Sequence, residues 1–242
     1  MYPAANRDPM IWLPFRETPH RIHASIRTIT GKDKRMQLND PCGASRWKTY
    51  YEHHRDRPAS SLLHTALGLA STQTNSRKAV DLGCGSGNET RALLQAGWDV
   101  LAIDREPAAI EMVHAIGLAH PGAKLETATQ LFESLESLPP SSLIHAGMAL
   151  PFCHPDHFEK FWSVVISALL PGGIFVGQLF GDKDDWASDT ARTFHSELEA
   201  RALFRGLSLK VFEILEYDGP SMRGTKHWHR FDVVAQKPAS SE

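Results

Sequence analysis

Apolar positions fall into short clusters that alternate between two spacings. Pro58-Ala59-Ser60-Ser61 opens a stretch in which Leu62, Leu63, Ala66, Leu67, Leu69 and Ala70 form a stripe at helical spacing. Lys78-Ala79-Val80-Asp81-Leu82 is a short apolar run ending in glycines, which predicts a buried strand. The alternation continues with a helix over 88–96, a strand over 98–104 and a helix over 106–118 that has Pro107 in its first turn. A strand near 123–128 and a short helix near 130–137 follow. A further strand covers 143–148. The clearest helix spans 155–170, where Phe158, Phe161, Trp162, Val165, Ile166 and Leu169 recur at i, i+3, i+4, i+7, i+8 and i+11. Pro171-Gly172-Gly173 stops it. A strand at 174–180, a helix at 189–205 and two strands near 208–217 and 226–236 close the pattern.

Strands alternating with helices predict an α/β fold: a mostly parallel sheet with helices on both faces. The last two strands are joined by about ten residues that include Gly219, Pro220 and Gly224. That is too short for a helical crossover, so they pair antiparallel. Residues 1–41 stand apart. They carry seven Lys/Arg against four Asp/Glu and five prolines, without a sustained period. They read as a loose extension preceding a single domain over 42–242, whose first part, 42–76, is a helical lid.

Composition narrows the function. The 242 residues are 42% apolar with a net charge of −2, so there is no electrostatic footprint for nucleic acid or an acidic membrane surface. No run approaches the length of a membrane-spanning helix. Cys42, Cys84 and Cys153 are odd in number and far apart, which fits a reducing, cytoplasmic setting rather than a disulfide framework. His227-x-His229 and Cys153-His154-x-x-His157 are locally rich in ligand atoms, but there is no C-x-x-C pair, and the expectation is no metal site. Oligomeric state is not encoded in any readable pattern.

The chemistry concentrates in Asp81-Leu82-Gly83-Cys84-Gly85-Ser86-Gly87-Asn88, a strand, a tight turn and a helix start. Glycines there permit positive φ and close approach of a ligand to the backbone. The dinucleotide pattern G-x-G-x-x-G fails, because Asn88 or Thr90 holds the sixth position. A P-loop fails for want of its lysine, and a nucleophile elbow fails at Cys84 and Asn88. Asp104, at the end of the next strand, has a carboxylate suited to a ribose diol.

The pattern D-x-G-x-G-x-G followed by a second-strand acid resembles the class I S-adenosylmethionine-dependent methyltransferases over about residues 45–237. The resemblance implies a Rossmann-like seven-stranded sheet in the order 3-2-1-4-5-7-6 with strand 7 antiparallel. It implies S-adenosyl-L-methionine as cofactor and S-adenosyl-L-homocysteine as product. Asp81, Gly83, Cys84, Gly85 and Gly87 are then expected around the methionine part, Asp104 at the ribose and Arg105 beside the adenine, with Gln130 and Met148 completing the cofactor set. Trp47-x-x-Tyr50-Tyr51, Ala149-Leu150-Pro151-Phe152, Gln178-Leu179-Phe180-Gly181-Asp182 and Lys226-His227-Trp228-His229 resemble the bacterial small-molecule group that includes tellurite-resistance and thiol methyltransferases.

Topology adds a substrate edge. Phe152, Gln178, Asp182 and Trp186 follow strands four and five, and the reversed final strand brings its start, His227 and His229, to the same edge. Trp47, Tyr50 and Tyr51 are expected to cover it. Imidazole titrates near neutral pH, so His227 or His229 is the expected base where an acceptor must lose a proton. The expected partner is a small-molecule methyl acceptor, such as a thiol, a chalcogen or another small nucleophile. A non-catalytic cofactor-binding module and an NAD-dependent oxidoreductase are the alternatives.

Overall fold

A computed structural model describes residues 41–70, 76–221 and 224–239. The extension expected over 1–41 lies outside the described residues except for Pro41. The elements run α1 (Pro41–His54), α2 (Ser61–Ala70), β1 (Lys78–Leu82), α3 (Asn88–Gln95), β2 (Asp99–Asp104), α4 (Pro107–Leu118), β3 (Leu125–Thr129), β4 (Ser141–Ala146), α5 (Pro155–Ala168), β5 (Leu169–Gly181), β6 (Phe194–His195), α6 (Glu197–Leu203), β7 (Ser208–Ser221) and β8 (Gly224–Gln236).

The sheet order is β3-β2-β1-β4-β5-β8-β7, with β6 pairing the end of β5. This is the expected order with one short strand inserted in the count. β8 is antiparallel to both β5 and β7, and the other pairings are parallel. The central strands are apolar runs because helices cover both of their faces. Every residue of β4 is buried, and all but the first of β1. One face packs Leu63 of α2, Leu93 of α3 and Val113 of α4 against Val100, Leu143, Val176 and Val234. The other packs Phe158, Phe161, Trp162 and Val165 of α5 and Ala200 of α6 against Val80, Ile144, Phe175 and Phe231. The residues of α5 picked out by helical spacing are thus nearly the same set that is buried.

Two expected helices are shorter than their patterns. Residues 130–137 make only a 3-10 turn, Phe132–Ser134. Pro139 and Pro140 follow closely and cannot propagate a helix. Residues 189–205 divide into turns, β6 and α6. Phe194 and His195 pair with Phe180 and Gly181, and the Thr193 hydroxyl donates to Cys153 O at 2.8 Å. Strand pairing overrides local helix preference there. Ser196 and Glu199 then form a capping box that starts α6. Gly206, at φ 84°, lies just beyond the helix end.

Candidate functional site

The carboxyl ends of the parallel strands form one edge of the sheet, and the glycine turn lies at the end of β1. Gly83, Gly85 and Gly87 have φ of 71°, 49° and 76°. The Gly83 and Cys84 amides both donate to Ile103 O, at 2.8 and 3.1 Å, which ties the turn to β2. A Cβ on Gly83 would collide with the Ala149 methyl, so the glycine backbone of the turn packs directly on the segment after β4. Beneath the turn, Asp81 is buried. It accepts a bond from the Thr90 hydroxyl and pairs with His145 Nδ1 at 2.8 Å. Burial alone would push the His145 pKa down, but the hydrogen bond and charge of Asp81 outweigh it and hold the imidazole above its ordinary value. Asp81 thereby braces β1, α3 and β4 together.

Asp104 ends β2. Its Oδ2 accepts from the Gly85 amide and its Oδ1 from the Glu106 amide, each at 2.9 Å. A carboxylate has about four lone-pair sites, so about two remain for the hydroxyls of a ribose. Burial raises the Asp104 pKa despite those two amides. The Tyr51 ring lies 3.2 Å from where a Gly85 Cβ would stand. The residues present therefore fit an adenosyl cofactor: a glycine-rich turn beside a carboxylate with spare acceptor capacity, with the Tyr51 ring against the turn. Cys84 is buried, and its thiol is pushed well up by burial, then by Asp81 and Asp104. Arg105 is half exposed and pairs with Glu106 at 3.1 Å. Gln130 donates its backbone amide to Asp104 O and turns its side chain to Ser134 O.

α1 covers both halves of the edge. Its carboxyl end is held by Asn88 Nδ2, which donates to His54 O at 2.7 Å, and the Arg57–Glu89 pair at 3.1 Å fixes the chain just beyond. Trp47 stacks on Tyr51, meets Tyr50 edge-on and meets Phe152 edge-on at 5.3 Å. Burial pushes the Tyr50 phenol up to about 12. From Phe152 an aromatic wall continues to Phe180, Trp186 and Trp228, with ring centroids 5.6–6.4 Å apart. The Arg192 guanidinium lies over Phe152 and Trp186, and the Lys226 ammonium lies over Trp186 and Trp228 while pairing with buried Asp184. Gln178 links the two halves: its Oε1 accepts from the amide of Met148, which sits at a φ of 53° beside the glycine turn.

The structure thus brings together Asp81, Gly83, Cys84, Gly85, Gly87, Asp104, Met148 and Tyr51 on one side, and Trp47, Phe152 and Trp186 on the other, with Gln178 between. It does not bring His227 and His229 to the aromatic wall. Strand alternation puts both on the face of Phe231, opposite Trp228. His227 pairs with Asp218 at 2.8 Å, which raises its pKa. The buried His229 ring accepts from the Lys183 amide and packs on Phe231. Asp182 is exposed and lies 3.5 Å from His229. Periodicity did not pick out Arg192, Asp184 and Lys226 as site residues. Their signal, a cation two positions before Trp228 and acids just before Trp186, becomes readable only once the sheet joins them. Among the described residues no group of three or more His, Cys, Asp or Glu is placed to hold a metal ion.

The strand order, the lone antiparallel strand and the glycine turn facing a second-strand acid define the class I methyltransferase fold. Residues 79–173 match the family model described as a methyltransferase domain. It is 32% identical over 145 residues to trans-aconitate 2-methyltransferase of Escherichia coli, covering 58% of this chain and 51% of that protein. The trans-aconitate 2-methyltransferase of Rhizobium leguminosarum is 31% identical over 131 residues, covering 53% and 46%. The chain spans about half the length of these curated relatives. The structure is similar to that of TehB from Haemophilus influenzae, with a TM-score of 0.66 at 14% identity, over 79% of this chain and 67% of that one. It also resembles a Burkholderia thailandensis 1,6-didemethyltoxoflavin-N1-methyltransferase solved with S-adenosylhomocysteine, with a TM-score of 0.55 at 17% identity, over 82% and 89%.

Proposed function

We propose that the protein transfers a methyl group from S-adenosylmethionine to a small-molecule acceptor. The observation that carries this reading is Asp104, whose carboxylate is oriented by the Gly85 and Glu106 amides beside the glycine-rich turn. When bound, the cofactor supplies a methyl carbon already activated by its sulfonium. The protein then has to bind, align and exclude water, and alignment alone accounts for about 7–11 kcal/mol of barrier in well-oriented reactions. Asp104 would hold the ribose, the glycine turn would border the methionine part, and Tyr51 would close over both. Phe152, Phe180, Trp186 and Trp228 would wall the acceptor side. Support for a small-molecule acceptor over a polymer comes from the relatives named above, a trans-aconitate and a 1,6-didemethyltoxoflavin methyltransferase. No described helix is long and apolar enough to cross a membrane, and a cytoplasmic place fits the unpaired buried cysteines.

Calorimetric titration with S-adenosylhomocysteine tests the reading. Wild type is expected to bind, and Asp104→Ala to lose at least about tenfold in affinity, as expected for charge-assisted hydrogen bonds. Binding of NAD in place of the adenosyl-sulfur ligand would return the protein to the oxidoreductase reading. Tight binding with no methyl transfer to any acceptor pool would make it a cofactor-binding module.

A further inference from the structure

Among the described residues Met148 is the one non-glycine at positive φ, 53°, and it lies two positions beyond the end of β4. A left-handed backbone is unfavourable for a residue with a Cβ, and such strain persists only where the surroundings enforce it. The enforcing groups come from the strands on either side of β4. On the β1 side Asp81 holds the His145 ring, whose Cε1 and Nε2 lie 2.7 and 2.9 Å from where a Gly147 Cβ would stand. On the β5 side Gln178 Oε1 accepts from the Met148 amide at 3.0 Å and lies 3.8 Å from the same Gly147 position. Gln178 is buried, and directly opposite it on β8 is Asp232, also buried. Burial raises the Asp232 pKa, opposed by Arg230 and by a hydrogen bond from the Gln178 side chain. Arg230 Nη2 donates to Asp232 Oδ2 at 3.3 Å, and its Nε lies 2.9 Å from Oδ1.

We propose that Gln178 is a positioning residue of the cofactor site: it holds Met148 in the left-handed backbone, and the Asp232 carboxylate decides which way its amide faces. The proposal rests on the methyl-transfer reading above. A carboxamide can present either its oxygen or its NH2 to a neighbour. An ionised carboxylate only accepts, so Asp232 takes the Gln178 NH2 and leaves the oxygen for the Met148 amide. Turned the other way, the side chain would set NH2 against N–H and leave the Met148 donor unsatisfied. The next residue carries the effect toward the cofactor. The Ala149 methyl packs against Gly83 where no Cβ fits, so a shift of the 147–149 turn moves the glycine turn with it. Gln178 and Asp232 thereby act on the cofactor through Met148 and Ala149. Released from Gln178, Met148 relaxes toward negative φ. A glycine in its place has no such drive, because it occupies positive φ without penalty.

Calorimetric titration of the full chain with S-adenosylhomocysteine reads the positioning, and urea unfolding of each variant reads its stability. Gln178→Met should weaken binding about tenfold in the wild-type background, the scale of a left-handed residue's penalty. In a Met148→Gly background the same change should cost only about twofold. Asp232→Asn should weaken binding about threefold by freeing the amide to turn. Adding Gln178→Glu to it should recover the affinity, because a carboxylate presents oxygen whichever way it faces. A merely structural Gln178 would give the same loss in both backgrounds. Equal losses, no loss in Gln178→Met, or no recovery in the Asp232→Asn, Gln178→Glu pair overturn the proposal while the methyltransferase reading stands. If wild type does not bind S-adenosylhomocysteine, both fall. Where Gln178→Met does not fold, the pair, which conserves charge, decides.

Discussion

The two halves of the sheet edge are built by different means. On the side of β1 and β2 the working surface is backbone: three glycines at positive φ, amides aimed at Asp104, and a buried Asp81–His145 pair as its foundation. On the side of β5 and β8 it is side chains: four aromatic rings, three cations and their acids, drawn from segments more than seventy residues apart. A backbone surface suits a ligand that never changes, because only glycine keeps it open. A side-chain surface can be rewritten one residue at a time without disturbing the fold. On the proposed reading, one edge thus combines a fixed cofactor half with an adjustable acceptor half.

The sharpest way to break the comparison is to remove one polar group from the side-chain half. Lys226→Met leaves the Asp184 carboxylate buried, with only the Trp186 and His229 amides as donors. Stranding a buried charge costs about 3–5 kcal/mol. Urea unfolding should show that loss, and Lys226→Met with Asp184→Asn should recover part of it. Gly83→Ala attacks the backbone half. It places a Cβ against Ala149 at a φ of 71°, and a left-handed residue plus overpacking costs about 2–5 kcal/mol. Affinity for S-adenosylhomocysteine should fall with it, whereas Lys226→Met should spare that affinity in the folded protein.

The halves also respond to pH in opposite senses. His195, enclosed beside Phe158 near the end of β5, has its pKa lowered to about 4 by burial. A depressed imidazole contributes stability that is present above its unfolded value of 6.5 and is lost as pH falls toward 4. That loss is about 3 kcal/mol. His145 is held above its ordinary value by Asp81, so its contribution is present below pH 6.5 and is lost as pH rises through the folded value. Stability against pH, measured as the difference from wild type, should lose its acid-side slope in His195→Phe and its alkaline-side slope in His145→Gln.

How far each half could be read from the sequence follows from the same contrast. The glycine turn and Asp104 were readable because local spacing dictates them: a strand, a φ-permissive turn and a helix start lie within about ten residues, whereas the strand order came only from the family resemblance that this spacing carries. The hairpin of β7 and β8 was readable because its connection is too short for a crossover. The aromatic wall was only half readable. Phe152 and Trp186 follow strand ends, but the pairing of Lys226 with Asp184, and the placing of Arg230 opposite Phe180 and of Asp232 opposite Gln178, depend on β8 lying antiparallel beside β5. His227 and His229 show the limit. Alternation correctly set them on one face, yet which face carries the acceptor depends on where α1 and the segment after β4 lie. The helix expected over 189–205 yielded to the pairing of β6 with β5, a tertiary contact that helical spacing alone does not encode.

Trp47 is where the two halves meet, and its removal should have the smallest effect on stability and a selective one on function. Its ring touches Tyr50 and Tyr51 over the cofactor turn and Phe152 at the start of the wall. It is only partly buried, and Tyr51 is independently seated on Gly85. Trp47→Ala therefore forfeits edge and stacking contacts worth about 0.5–1.5 kcal/mol each, with no buried charge or backbone strain added. The unfolding midpoint should move less than in Gly83→Ala or Lys226→Met. Affinity for S-adenosylhomocysteine should change little, since Asp104 and the glycine turn remain. On the proposed reading, the rate at which a bound acceptor leaves, followed by stopped-flow tryptophan fluorescence, should rise, because Trp47 no longer bridges Tyr51 and Phe152. A large loss of cofactor affinity with unchanged acceptor release would place Trp47 wholly in the backbone half and dissolve its bridging role.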